Sequence, residues 1–162
     1  MLTTAVAPKP TVLGLDGELR EHLVASLNQS LANLTDLAAM YEQAHWNVAG
    51  PDFAQLHELF DRFADQTRDY MDMVAERAVT LGGTARGTIQ AVAEFSSLNA
   101  FPQTERSQWR LVEELVLRLE HVASDLRHAM DASADEAATE DVFIEVVRGI
   151  EKQHWMLREH LA

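Results

Sequence analysis

Apolar residues recur at three- and four-residue steps through most of the chain, a spacing that lines one side of an α-helix and not one face of a strand. Leu19, Leu23, Leu27, Leu31, Leu34, Ala38 and Tyr41 form the first such stripe. They predict a helix A from Asp16 to about Val48, stopped by Ala49-Gly50-Pro51. Asp52 and Gln55 have the spacing of a capping pair, and Leu56, Phe60, Phe63, Thr67, Tyr70, Met71, Val74, Ala78 and Leu81 carry helix B to Gly82-Gly83. The stretch from Gly87 to Pro102 is long for a plain link, and Ile89 to Phe95 predicts a short helix within it. Helix C follows Thr104, with Trp109, Val112, Val116, Leu119, Ala123, Leu126 and Met130 inward. Ser133 and Glu136 read as a second capping box ahead of helix D, whose stripe is Phe143, Val146, Val147, Ile150, His154, Leu157 and Leu161.

The pattern therefore predicts an all-α four-helix bundle with a short extra helix in its one long connection, B to C. Residues 1–15 hold Pro8, Pro10 and Gly14 without periodicity and read as a flexible N-terminal tail, leaving 16–162 as one bundle domain. The chain has no Cys, which excludes disulfides, zinc-thiolate sites and thiol nucleophiles. The first residues lack the basic start and apolar run of a signal peptide, and no apolar stretch is long enough to cross a membrane, so a soluble, cytoplasmic protein is expected. The formal charge of −13 disfavours nucleic acid and anionic membrane as partners and attracts cations. Ordinary solubility also explains such a balance.

Polar chemistry concentrates on helix B. His57, Asp61, Asp65, Asp72 and Glu76 are spaced by 4, 4, 7 and 4 residues. At about 100° per residue they fall near 0°, 40°, 80°, 60° and 100°, away from the apolar side at roughly −40° to −140°. Imidazole and carboxylate one turn apart can share a divalent metal, and so can Asp72 with Glu76. Asp61 and Asp72 are 11 residues apart, about 16 Å along the helix, so the two groups cannot meet within one chain. Two chains with antiparallel B helices about a twofold axis would bring them face to face. From the residues alone, a solvated acidic face is an equally good reading, and Arg68 on the same stripe could pair with Asp65 or Asp72.

A rival arrangement lies inside the bundle. Glu42-Gln43-Ala44-His45 and Glu151-Lys152-Gln153-His154 both match the Glu-x-x-His pattern of di-iron bundles. That pattern needs an inward carboxylate from each of the other two helices. The inner stripe of helix B has none, and Glu113 and Glu120 lie at the edge of helix C's apolar face. The in-bundle site is therefore disfavoured, and His154 is expected to be a hydrogen-bonded core residue. No acidic constellation singles out His22, His121, His128 or His160.

Three segments resemble a known family: His45-Trp46-Asn47-Val48-Ala49-Gly50-Pro51-Asp52-Phe53, then Leu56-His57-Glu58 with Phe60-Asp61, then Asp72-Met73-Val74-Ala75-Glu76-Arg77-Ala78. Together they closely resemble the signature of the Dps family of mini-ferritins, and the helix pattern resembles that family beyond the tail. The resemblance implies a ferritin-like bundle that assembles into a homo-oligomeric shell of twelve. It implies iron ferroxidase sites at twofold seams, with His45, His57 and Asp61 from one chain and Asp72 and Glu76 from its neighbour. Trp46 would lie beside the site, intercepting oxidising equivalents or packing on the neighbouring helix. Asp141 matches a position lining acidic iron-entry pores, and Asp135 and Glu136 are weaker matches; a helix start also favours acids on electrostatic grounds alone. The implied activity is oxidation of Fe(II) by hydrogen peroxide, less readily by dioxygen, with storage of ferric mineral and protection against oxidative stress. Well-known members also bind DNA through lysine-rich tails. Here the first 15 residues hold only Lys9 and the last helix runs to the end of the sequence, so DNA binding is not expected. A DNA-compacting protein with secondary iron oxidation is the competing expectation.

Overall fold

A computed structural model of the chain describes residues 14–162; the expected tail falls almost wholly outside the described residues. Five α-helices follow in order: α1 (Gly17–Asn47), α2 (Phe53–Thr80), α3 (Ile89–Phe95), α4 (Gln108–Asp131) and α5 (Ala137–Arg158), closed by a single 3-10 turn, Glu159–Leu161. Asp16 starts α1, its carboxylate accepting from the backbone N–H groups of Glu18 at 2.9 Å and Leu19 at 3.2 Å. Gly82, at φ +79°, ends α2, and Gly83 N–H donates back to the Ala78 carbonyl at 2.9 Å. Only a residue without Cβ takes that left-handed turn without strain. Among the described residues no helix is long and apolar enough to cross a membrane.

The short turn between α1 and α2 makes them antiparallel. The 27-residue link that follows α2 runs back along the bundle, because Ala49 beside the α1–α2 turn bonds to the start of α4. Ala49 N–H donates to the Arg106 carbonyl at 2.8 Å, and Gln108 N–H to the Ala49 carbonyl at 3.2 Å. Helix α4 therefore runs parallel to α2, and α5 returns beside both. Polar side chains of α1 hold the crossover down. Asn28 bonds both the Thr84 carbonyl and Arg86 N–H, Gln29 the Phe95 carbonyl, and Asp36 the Ser96 hydroxyl. Buried Asn33 receives Ser97 N–H and donates to Asp125. These bonds satisfy backbone groups that an irregular segment would otherwise leave unpaired.

The core is continuous from Leu23 to Leu157 and contains most of the expected stripes. Three helix ends and parts of two stripes differ from expectation. Asp52 precedes α2 but makes no side-chain cap; its carboxylate accepts from Gln108 Nε2 at 2.7 Å while Gln108 Oε1 accepts Asp52 N–H at 2.9 Å. Gly50 leaves room for this clamp, since a Cβ there would lie 2.3 Å from Gln108 Oε1. Helix α4 starts at Gln108, later than Thr104 suggested, and Trp109 is 48% exposed. Leu111, Leu115 and Val122 are buried in its place, so the inner face is rotated by part of a turn. Glu136 itself caps α5, accepting Thr139 N–H at 2.9 Å, while the Ser133 hydroxyl donates to the Ala129 carbonyl at the end of α4. On α5 the fully buried polar residues are Thr139 and Gln153, not His154, and Leu161 is exposed.

Candidate metal centre

His45 ends α1 and His57 stands in the second turn of α2, so the short antiparallel turn brings them side by side. Their rings stack with centroids 3.8 Å apart and planes 19° apart, and the Phe53 ring also stacks with His57 at 5.2 Å. Each ring is tied to the other's backbone: His45 Nδ1 lies 2.8 Å from the His57 carbonyl, and His57 Nδ1 lies 2.9 Å from the His45 carbonyl. A carbonyl oxygen can only accept, so both Nδ1 atoms carry the proton. In the neutral rings both Nε2 atoms then hold a free lone pair, the tautomer a metal requires, with orientation set by the Nδ1 bond. The His45 carbonyl is free for this role because Ala49 N–H, its helical partner by spacing, donates to Arg106 instead.

Asp61, one turn beyond His57, is exposed, and no ion pair engages it among the described residues. Asp72 and Glu76 are likewise exposed at the far end of the helix. Among the described residues no three His, Asp or Glu side chains converge on a point that could hold a metal. Trp46, beside His45, is 69% exposed. Between the two groups Arg68 donates to Asp65 at 2.6 Å and also pairs with Glu42 of α1.

The rival in-bundle ligands are dispersed. Glu42 is held by Arg68, Glu151 bonds Arg127 at 2.6 Å, and the partly buried His154 lies 3.3 Å from Glu120. Uncharged polar groups occupy the centre of the bundle. The Tyr41 hydroxyl donates to Gln153 Oε1 at 2.9 Å, and Gln153 Nε2 donates to Gln66 Oε1 at 3.0 Å. Burial holds the Tyr41 phenol well above its ordinary pKa, so it stays protonated. The spacing of Phe143, Val146, Ile150, Gln153 and Leu157 carried the signal for Gln153, since 3-4-3-4 steps pass through position 153 and not 154.

Of the residues matched to an entry pore, Asp135 and Asp141 are exposed at the start of α5. Glu136 is engaged: it bonds Arg77 at 2.6 Å, both side chains being only 13% exposed, and it caps Thr139. Burial pushes its carboxyl up, but hydrogen bonds from Thr139 and Arg77 outweigh that and hold it below the usual carboxylate range. One histidine cluster lay unread in the sequence. His121 Nε2 meets the Ser97 hydroxyl at 2.9 Å and Asp125 at 3.3 Å, an i,i+4 pair that anchors the crossover.

The ferritin-like domain family model matches residues 24–162. A DNA protection during starvation protein of Agrobacterium fabrum is 38% identical over 149 residues, covering 91% of this chain and 92% of that one. A Dps protein of Streptomyces coelicolor superposes with a TM-score of 0.91 at 34% identity, covering 95% of this chain and 92% of the other. The structure of Dps from Microbacterium arborescens in a high iron form superposes with a TM-score of 0.85 at 31% identity, covering 90% and 96%. The helix order, the single long crossover and these likenesses agree, and the chain belongs to the Dps family of ferritin-like mini-ferritins.

Proposed function

We propose that this chain is the subunit of a homo-oligomeric shell of twelve that takes up Fe(II), oxidises it at seams between subunits and stores the ferric product, protecting against oxidative stress in the cytoplasm. The observation that carries this reading is the reciprocal His45–His57 lock, which leaves two Nε2 lone pairs free, with Asp61 one turn after His57 on α2. Asp72 and Glu76 of a partner subunit would complete the set. That no three such side chains converge among the described residues fits a shared site, and the relative solved in a high iron form supports iron as the cargo.

Iron(II) is the substrate, and the residues divide its handling. The imidazoles donate neutral lone pairs, while Asp61 and the partner's carboxylates offset charge and suit both oxidation states of the metal. Hydrogen peroxide is the preferred oxidant: two Fe(II) each give one electron, the O–O bond breaks, and two protons convert the oxygens to water. Pairing the electrons this way releases no hydroxyl radical. Trp46, exposed beside His45, would pack on the partner's helix or intercept stray oxidising equivalents. Asp141 and Asp135 would line the entry path for cations drawn by the acidic surface; Glu136, committed to Arg77, serves the fold.

Replacing His57 and Asp61 by Ala together should abolish rapid ferric absorbance after addition of Fe(II) and peroxide, while the shell still assembles. An unchanged rate would refute the site. With a formal charge of −13 per chain, the assembly should give no DNA mobility shift at physiological salt; a clear shift would favour the nucoid-compacting alternative.

A further inference from the structure

The charged face of α2 carries two residues that iron binding does not use, and their positions obey the same arithmetic as those that it does. If His57 faces Glu76 of the partner subunit and Asp61 faces Asp72 of the partner subunit, the facing positions sum to 133 in both cases. A twofold axis between antiparallel helices demands this, because it sets position i opposite position 133 − i. Between the two half-sites the stripe carries Asp65 and Arg68, whose numbers also sum to 133 and whose charges are opposite.

Their place on the helix gives the pairing leverage. The axis would pass between Gln66 and Thr67, leaving Asp65 and Arg68 about 2 Å from it along the helix and His57 and Glu76 about 14 Å away. A crossing angle separates helices at their ends and least at the axis, where axes about 8–10 Å apart are within reach of an arginine. Arg68 is 43% exposed and Asp65 72% exposed. Within the chain Glu42 of α1 holds Nη2 of the guanidinium and Asp65 holds Nη1, and its five N–H groups leave donors for a third carboxylate, the partner's. Each stripe, Glu58 included, bears five carboxylates against this one guanidinium, so two stripes meeting without such a contact would repel. The two large apolar residues exposed on α2, Phe53 and Val79, sum to 132 and would border the contact at both ends.

We propose that Asp65 and Arg68 form a reciprocal charge clasp with a second copy of this chain, two ion pairs flanking the twofold axis, and that the clasp sets the register in which the iron half-sites meet. The clasp rests on the seam reading given above. Asp65 and Arg68 act as positioning residues and touch no iron.

Full-length Asp65→Arg and Arg68→Asp chains test it. Either change alone places like charges opposite each other twice, so each is expected to weaken pairing about a hundredfold. Coexpressed, the two chains are complementary at both cross-axis contacts, while within each chain positions 65 and 68 still bear like charges. Native mass spectrometry with one chain tagged should then recover mixed assemblies at one to one, a rescue that no intrachain pair can supply. Wild-type assembly by either single variant, or no preference for mixed pairs, overturns the clasp. Circular dichroism checks that each variant folds; if one does not, Arg68→Gln replaces it, with pairing about tenfold weaker expected and unchanged pairing refuting. A mixture of one chain lacking His57 and Asp61 with another lacking Asp72 and Glu76 reads the seam independently. If that mixture regains iron oxidation while the charge-swapped chains do not pair, the clasp falls and the seam survives; if it regains none, both fall.

Discussion

Complementation between two inactive chains follows directly from the geometry of α2. His57 and Asp61 sit near its start and Asp72 and Glu76 near its end, with 11 residues between the inner pair. That is about 16 Å of rigid helix, whereas a carboxylate or imidazole must approach a metal to about 2 Å. No rotamer closes such a gap, so on the proposed reading one chain supplies at most half a site. A chain with His57→Ala and Asp61→Ala keeps only the distal half, and a chain with Asp72→Ala and Glu76→Ala keeps only the proximal half. Assembled alone, each should oxidise Fe(II) at least about a hundredfold more slowly than the native protein, since a whole half-set of ligands is missing from every seam. Coexpressed at equal levels and pairing at random, half of the dimers are mixed, and each mixed dimer contains one complete site and one reduced to His45. The initial rate of ferric absorbance should therefore recover to about a quarter of the native value. Mass spectrometry establishes that mixed assemblies formed. Background activity in confirmed mixed assemblies, or native activity in either pure variant, would refute the shared site.

Two further outcomes concern the fold. Glu136→Gln should cost about 1–3 kcal/mol, because the change strips charge from a shielded pair with Arg77 and weakens the cap on α5. The Glu136 carboxyl is held below its ordinary range, so its contribution is full above the unfolded value of about 4.3 and fades as pH falls through the lower folded value. Urea midpoints of native and variant protein should accordingly converge in acid; a constant gap would contradict the ion pair. Tyr41→Phe leaves Gln153 Oε1 in the core without its donor and should cost about 1–2 kcal/mol in thermal unfolding, whereas no change would mean that the bond contributes nothing.

What the sequence determined by itself was whatever depends on local spacing. Four long helices and a short one were legible because apolar side chains must repeat near 3.6 residues to share a face, and Gly and Pro mark where that repeat stops. The acidic stripe of α2 was legible for the same reason: a rigid helix fixes the relative direction of residues 57 to 76 whatever surrounds it. Tertiary structure decided everything that turns on which surface meets which. Trp109 and Leu111 both fit helical periodicity, and only packing against α1 and α5 shows that Leu111 is buried. Asp52 and Ser133 have cap-like spacing, but Gln108 and the Ala129 carbonyl, reached only through the fold, claim their side chains. The mutual Nδ1-to-carbonyl bonds of His45 and His57 are also tertiary, because they require a carbonyl freed at the end of one helix and a ring placed above it by the next. Spacing along a chain dictates direction from a helix axis; which hydrogen-bonding group waits in that direction is set only when the helices pack.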